Sequence, residues 1–339
     1  MLSIFTFAVN AIFPIILLIL LGYFLKQIHF FNDNFLATAN KFVFRVALPV
    51  LLFYNVYEIE TLSSIEWDTV LFALIVILVI FIIGFICVRF TVKDNRQKGV
   101  ILQSFFRSNY ALIGFPLSEA LGGVECLGIT AVLSAFAIPT FNVLAVIALT
   151  VFIEGDKQKH LNIKSLLMKI VKNPLIIGVF AGLLVLFIRS LIPTNAAGEP
   201  VFSIENNIPF LYSAISSVSK IASPLALIVL GGQFSFKAIK GLLPQILYGP
   251  TIRTMIVPAV ALITAVFVST HTNLLNLGTS HYSSLIALFG SPIAVSSAIM
   301  AGEMDNDAEL AGQIVVWSSL VSMFTLFVII VVMKGMGLL

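Results

Sequence analysis

The chain has 339 residues, of which 59% are hydrophobic and only 10% charged, with a net charge of +3 and a mean hydropathy of +1.08. Soluble domains carry about 25% charged residues, so this composition excludes a soluble globular protein and points to one built for the lipid bilayer. The apolar runs are helix-length and lack the two-residue alternation of an outer-membrane barrel, and no interleaving of basic and aromatic residues suggests nucleic-acid binding.

In chain order the apolar runs predict ten spans, at 8–25, 35–56, 69–88, 100–121, 126–152, 173–192, 209–231, 243–268, 282–301 and 310–333. Most match a hydrocarbon core of about 30 Å at 1.5 Å per residue. No basic leader or small-residue cleavage site follows Met1, so the first span is expected to stay in the mature protein. If the first loop is cytoplasmic, the cytoplasmic loops collect Lys26, Lys41, Arg89, Lys93, Arg96, Lys98, Lys157, Lys172, Lys237 and Lys240, while Glu58, Asp68, Glu119 and Glu199 fall on the other face. This positive-inside pattern predicts a multi-pass protein of the cytoplasmic membrane with both termini extracytoplasmic. The loop from Glu303 to Glu309 departs from it by being acidic.

The expected fold class is therefore all-α and polytopic, with ten transmembrane helices arranged as two inverted five-helix repeats. Residues 1–156 form the first repeat, 157–172 a cytoplasmic connecting loop and 173–339 the second. Pro49 and Pro224 are 175 positions apart and Pro116 and Pro292 are 176 apart, so two landmarks give the same internal offset within one residue. An odd number of spans per half makes the halves antiparallel, related by a two-fold axis in the membrane plane.

The chemistry centres on the fourth and ninth spans. A helix running through Gly114, Phe115 and Pro116 is expected to break there, as is one running through Gly290, Ser291 and Pro292, because proline removes a donor and clashes with the preceding turn. Such breaks persist in lipid only where protein or a water-filled cavity surrounds them. The amide end of a break attracts a carboxylate and the carbonyl end a cation or hydroxyl. Asn109, two turns before Pro116, is expected to line the cavity, and Asn142, Gln233, Ser296 and Ser297 are further polar candidates. Four cations lie within spans, at Arg45, Arg107, Lys220 and Arg253, and each faces a cavity, a partner or the interface. Arg253 is the deepest, read either as a substrate contact or as half of an interhelical ion pair. Arg107 is read either as a substrate contact or as snorkelling to the surface. Glu119 and Glu303 are the carboxylates placed to carry a coupling proton, with solvated or capping roles as the alternative. No metal-ligand cluster, catalytic triad or nucleotide loop is present in the sequence, so no enzyme, cofactor or ATP-driven pump is expected.

The segment Phe106-Arg107-Ser108-Asn109-Tyr110-Ala111-Leu112-Ile113-Gly114-Phe115-Pro116-Leu117, with Ala222-Ser223-Pro224-Leu225-Ala226-Leu227-Ile228-Val229-Leu230-Gly231-Gly232 and Pro292-Ile293-Ala294, resembles the auxin efflux carrier family, in particular its bacterial malate and malonate permease-like members. The resemblance spans nearly the whole chain. It implies ten spans in two inverted repeats, crossing unwound segments at Pro116 and Pro292, and movement of an organic anion between a scaffold part and a transport part, often in a homodimer. The implied cargo is a small organic anion, a dicarboxylate such as malate or malonate, or else an auxin-like monocarboxylate, with H+ or Na+ as coupling ion. A membrane sensor or structural protein that keeps the fold without net flux is the competing expectation. The long hydrophilic central loop of the plant members is missing.

Overall fold

A computed structural model describes residues 2–58, 67–157, 168, 171–193, 201–235, 239–272 and 274–339, and among them no β-strand longer than an isolated bridge occurs. Glu199 and Lys237, used above to orient the chain, lie outside the described residues, as do residues 158–167 of the expected connecting loop. The helices are α1 (Leu2–Gln27), α2 (Asp33–Phe42), α3 (Leu48–Tyr57), α4 (Trp67–Thr91), α5 (Asn95–Phe106), α6 (Phe115–Lys157), α7 (Pro174–Ser190), the single turn α8 (Ile204–Asn207), α9 (Pro209–Gln233), α10 (Ile239–Thr251), α11 (Val257–His271), α12 (Thr279–Gly290), α13 (Ser296–Glu303) and α14 (Ala308–Gly335). Wider π turns join α2 to α3 (Val43–Ala47), lead into α6 (Tyr110–Gly114) and join α10 to α11 (Ile252–Ile256).

The helix starts follow from local chemistry. Side chains of Asn32, Asp94, Asn173, Ser203 and Asp307 each accept from a backbone N–H of the first turn they precede, which satisfies donors that a helix leaves orphaned. Six continuous helical runs among the described residues are long and apolar enough to cross a membrane: Asp33–Tyr57, Trp67–Thr91, Cys126–Ile153, Pro209–Gln233, Ile239–His271 and Ala308–Gly335. The predicted spans 8–25 and 173–192 fall on α1 and α7. Those at 100–121 and 282–301 fall on pairs of shorter helices, α5 with the start of α6 and α12 with α13. The molecule is thus an all-helical polytopic membrane protein. On α4, Leu71, Ile75, Leu78, Ile82, Ile86 and Phe90 are exposed, an apolar face that water would penalise and lipid accepts.

Packing sorts the helices into two groups. In one, α1 lies along α9, and α3 lies against both α7 and α9; in the other, α4, α5, α6, α10, α11, α12 and α14 pack mainly on one another. The first group is closed by backbone contact. A Cβ added at Gly22 would collide with the Ile228 carbonyl, and one added at Gly231 with that of Ile19, so α1 and α9 meet where only glycine leaves room. Within α6, Gly123 has φ +70°, which kinks the helix between its first two turns and its long remainder; that left-handed backbone is open to glycine at little cost.

Both predicted breaks exist, but the first is displaced. The ninth-span helix ends at Gly290 and resumes at Ser296, as expected for Gly290, Ser291 and Pro292. The fourth-span helix ends at Phe106 and is non-helical at Arg107, Ser108 and Asn109, two turns before the expected break at Gly114, Phe115 and Pro116. Pro116 instead occupies the first turn of α6 and is exposed. The π turn at Tyr110–Gly114 runs directly into α6, so Pro116 lies inside a continuous helical stretch whose wider turn accommodates the missing N–H. Gly114 closes the π turn against the ring of Tyr110, where an added Cβ would collide. The side chain of Phe115 lies outside the described residues.

Candidate functional site

The two breaks touch. Ser108 and Ile293 form an antiparallel bridge, and the Asn109 N–H donates to the Pro292 carbonyl at 2.8 Å. One hydrogen bond in place of a helical turn leaves other backbone groups of both segments free of regular partners, so side chains complete the junction. Ser291 Oγ donates back to the Ala287 carbonyl at 2.6 Å, and the Ile293 N–H donates to Ser318 Oγ at 3.4 Å.

Arg107 stands at the end of α5 with 2% of its surface exposed. It does not snorkel. Its Nη1 donates to Gln103 Oε1 at 2.7 Å and approaches Met300 Sδ, and its Nη2 donates to Asn142 Oδ1 at 3.0 Å and Ser296 Oγ at 2.8 Å. All four acceptors are neutral. Among the described residues the one ion pair is Lys26 with Asp33, far along the chain from Arg107, so a full positive charge sits inside the protein without a carboxylate. Burial of that kind is costly unless an anion completes it.

A cavity of about 70 Å³ opens beside this charge, room for several water molecules or a small solute. One wall carries Arg107, Asn109, Asn142 and Ser296 from the crossing and α6; the facing wall carries Leu48, Leu52, Asn55 and Ser223 from α3 and α9. The cavity therefore lies on the boundary between the two helix groups, charged on one side and largely apolar on the other. Asn109 is 4% exposed and its Nδ2 has no acceptor among the described residues, which leaves a buried donor for an occupant.

Arg253 is fully buried and lies elsewhere. From the π turn between α10 and α11 its Nε donates to the Ser291 carbonyl at 2.9 Å, and its Nη2 to the carbonyls of Phe289 at 2.6 Å and Leu288 at 3.3 Å. It does not line the cavity. Of the four in-span cations, Arg45 and Lys220 are exposed, so the fold buries only Arg107 and Arg253. Glu119 is exposed on α6. Glu303 ends α13, accepts from Asn40 Nδ2 at 2.9 Å and borders a second cavity of about 390 Å³ at the far end of that helix. The acidic loop after it is fastened to the start of α5: Arg96 Nε donates to the Asp305 carbonyl at 3.1 Å and Gln97 Nε2 to Asp307 Oδ2 at 3.0 Å.

Of the expected site residues, Arg107 and Asn109 come together with Asn142 and Ser296 at the cavity, while Ser291 and Pro292 lie in the unwound segment that Asn109 pairs with and Gly290 ends α12. Gln103, Asn55 and Ser223 are site residues that the sequence reading did not single out. Each is a neutral polar residue in an apolar span, and Ser223 also lies in the Ala222-Ser223-Pro224 segment that carries the family resemblance.

The profile of a family described as membrane transport protein matches residues 7–330. An uncharacterized transporter of Escherichia coli K12, YfdV, is 24% identical over 309 residues, covering 88% of this chain and 89% of its own length. An uncharacterized transporter of Methanocaldococcus jannaschii, MJ1031, is 26% identical over 239 residues, covering 68% and 70%.

Proposed function

This chain belongs to the membrane transport protein family, and we propose that it is a secondary carrier of a small organic anion, bound at the crossing of the two breaks and moved by alternating access. It is a multi-pass membrane transporter and not an enzyme. The observation that carries the proposal is Arg107: a buried guanidinium held by neutral acceptors at the edge of a cavity, with Asn109 Nδ2 beside it lacking a partner. A carboxylate entering there supplies the missing negative charge and accepts from the free amide donor.

In this reading the ten predicted spans form two inverted repeats in the cytoplasmic membrane with both termini outside, the two paired helix segments being the fourth and ninth spans. The antiparallel bridge at the crossing and the location of the cavity between two helix groups support it. The group of α1, α3, α7 and α9, locked by the glycine contacts, is the scaffold; the group holding the crossing moves against its leucine-lined wall. An apolar wall lets a charged face slide past without forming and breaking ion pairs.

The cavity offers one cationic side chain, which matches one full negative charge. A monocarboxylate satisfies it directly. A dicarboxylate such as malate or malonate meets it with the second carboxylate neutralised by a coupled H+ or Na+, because an unpaired second charge against Leu48 and Leu52 is too costly to bury. Uptake of labelled malate, malonate, citrate and indole-3-acetate into proteoliposomes, with proton and sodium gradients imposed separately, tests this. Accumulation of one anion down one gradient is expected; no flux of any organic anion through folded protein overturns the carrier reading.

A further inference from the structure

Arg253 does something that neither the cavity nor the packing requires. Where a membrane helix breaks, its first half ends in carbonyl oxygens that have lost their helical donors and carry the negative end of the dipole. Unwound carbonyls of this kind are where carriers with broken helices hold a coupling cation. In this chain those oxygens are occupied from within. Leu288, Phe289 and Ser291 all give their carbonyls to one guanidinium, which is 0% exposed and has no carboxylate within ion-pair distance among the described residues. The guanidinium reaches them from a neighbouring helix, out of a π turn, the kind of local irregularity that recurs at functional sites. Lysine at 253 would carry the same charge on a single point, and guanidinium adds a planar fork that spans several oxygens at once.

We propose that Arg253 is a resident cation: it takes the place that a coupling sodium ion would hold at the second break, fixes the unwound segment Ser291–Val295 against which Asn109 pairs, and makes the carrier independent of sodium. Arg253 is on this account a positioning residue that acts through the unwound segment at Pro292. The proposal rests on the carrier reading for its consequence, which is that protons and not sodium neutralise any second charge on the cargo, but its test needs no cargo.

Purified protein in detergent is melted with tryptophan fluorescence as readout, in sodium chloride and in choline chloride at equal ionic strength. Wild type is expected to melt at the same temperature in both. Arg253→Met, neutral and of similar length, is expected to melt several degrees lower in choline and to regain part of the loss in sodium, since the vacated carbonyls then accept a metal cation. Arg253→Ala, which leaves a hole of the right shape, is expected to be restored by millimolar guanidinium and not by urea. Arg253→Lys keeps the charge and stays indifferent to sodium. A wild type stabilised by sodium over choline overturns the proposal, as does an Arg253→Met variant that matches Arg253→Lys in both salts. If uptake later fails for every anion while these melts behave as stated, the carrier reading falls and the resident cation stands.

Discussion

The fold buries two arginines at the two helix breaks and sets them opposite tasks. Arg107 meets side chains, all neutral, and faces a cavity; Arg253 meets backbone carbonyls and faces none. A guanidinium bound to carbonyls at a helix C-terminus has its charge answered by the dipole. One bound to Gln103, Asn142 and Ser296 has its hydrogen bonds answered but not its charge. The same residue type in the same kind of break is therefore structural in one place and receptive in the other, and the chemistry of the acceptors decides which.

Substitutions can break this comparison. The largest effect is expected for Arg107→Ala, which removes the charge that an anion needs. Loss of one partner of a buried charged pair costs about 2–5 kcal/mol, so anion affinity should fall at least roughly 30-fold. The check is uptake per correctly inserted molecule, with gel filtration confirming the fold. If Arg107→Ala transports normally while Arg253→Met does not, the two assignments are reversed.

Asn109→Ala sharpens the comparison at the level of a single hydrogen bond. It deletes one side-chain donor and leaves the Asn109 to Pro292 backbone bond in place, so the expected change is a rise in KM of about tenfold with the melting temperature nearly unchanged. A large loss of stability instead would make Asn109 part of the junction and not of the site.

Pro116→Ala is expected to do least. Pro116 sits in the first turn of α6, exposed, two turns beyond the observed break, so supplying an N–H there restores no continuous helix. Uptake within a factor of about two of wild type is the expected result, on the scale of a surface substitution. A collapse of transport would place the functional break where the sequence alone suggested it.

That last contrast shows where sequence reasoning reached and where it stopped. Two breaks, one in each half, were legible from Gly-x-Pro inside apolar runs, and at Pro292 the position was right as well. At Pro116 it was not, because a proline in a membrane helix either breaks it or is absorbed by a wider turn, as the π turn Tyr110–Gly114 does here, and nothing local distinguishes the two. Asn109, expected to stand apart from the break, is in it. Arg45, Arg107, Lys220 and Arg253 were all legible as cations in apolar spans, with Arg253 the deepest, yet the fold exposes Arg45 and Lys220 and buries Arg107 as fully as Arg253.

By itself, the sequence determined that the chain lives in a membrane as helices, because 10% charge and long apolar runs leave the backbone no other way to satisfy its hydrogen bonds in lipid. It also determined where helices begin, since Asn32, Asp94, Asn173 and Asp307 cap within four residues of themselves. Only the tertiary structure decided which arginine faces a cavity. That depends on what arrives from other helices, with Asn142 35 residues from Arg107 and Ser296 189 residues away, and a partner that distant leaves no trace in the local pattern.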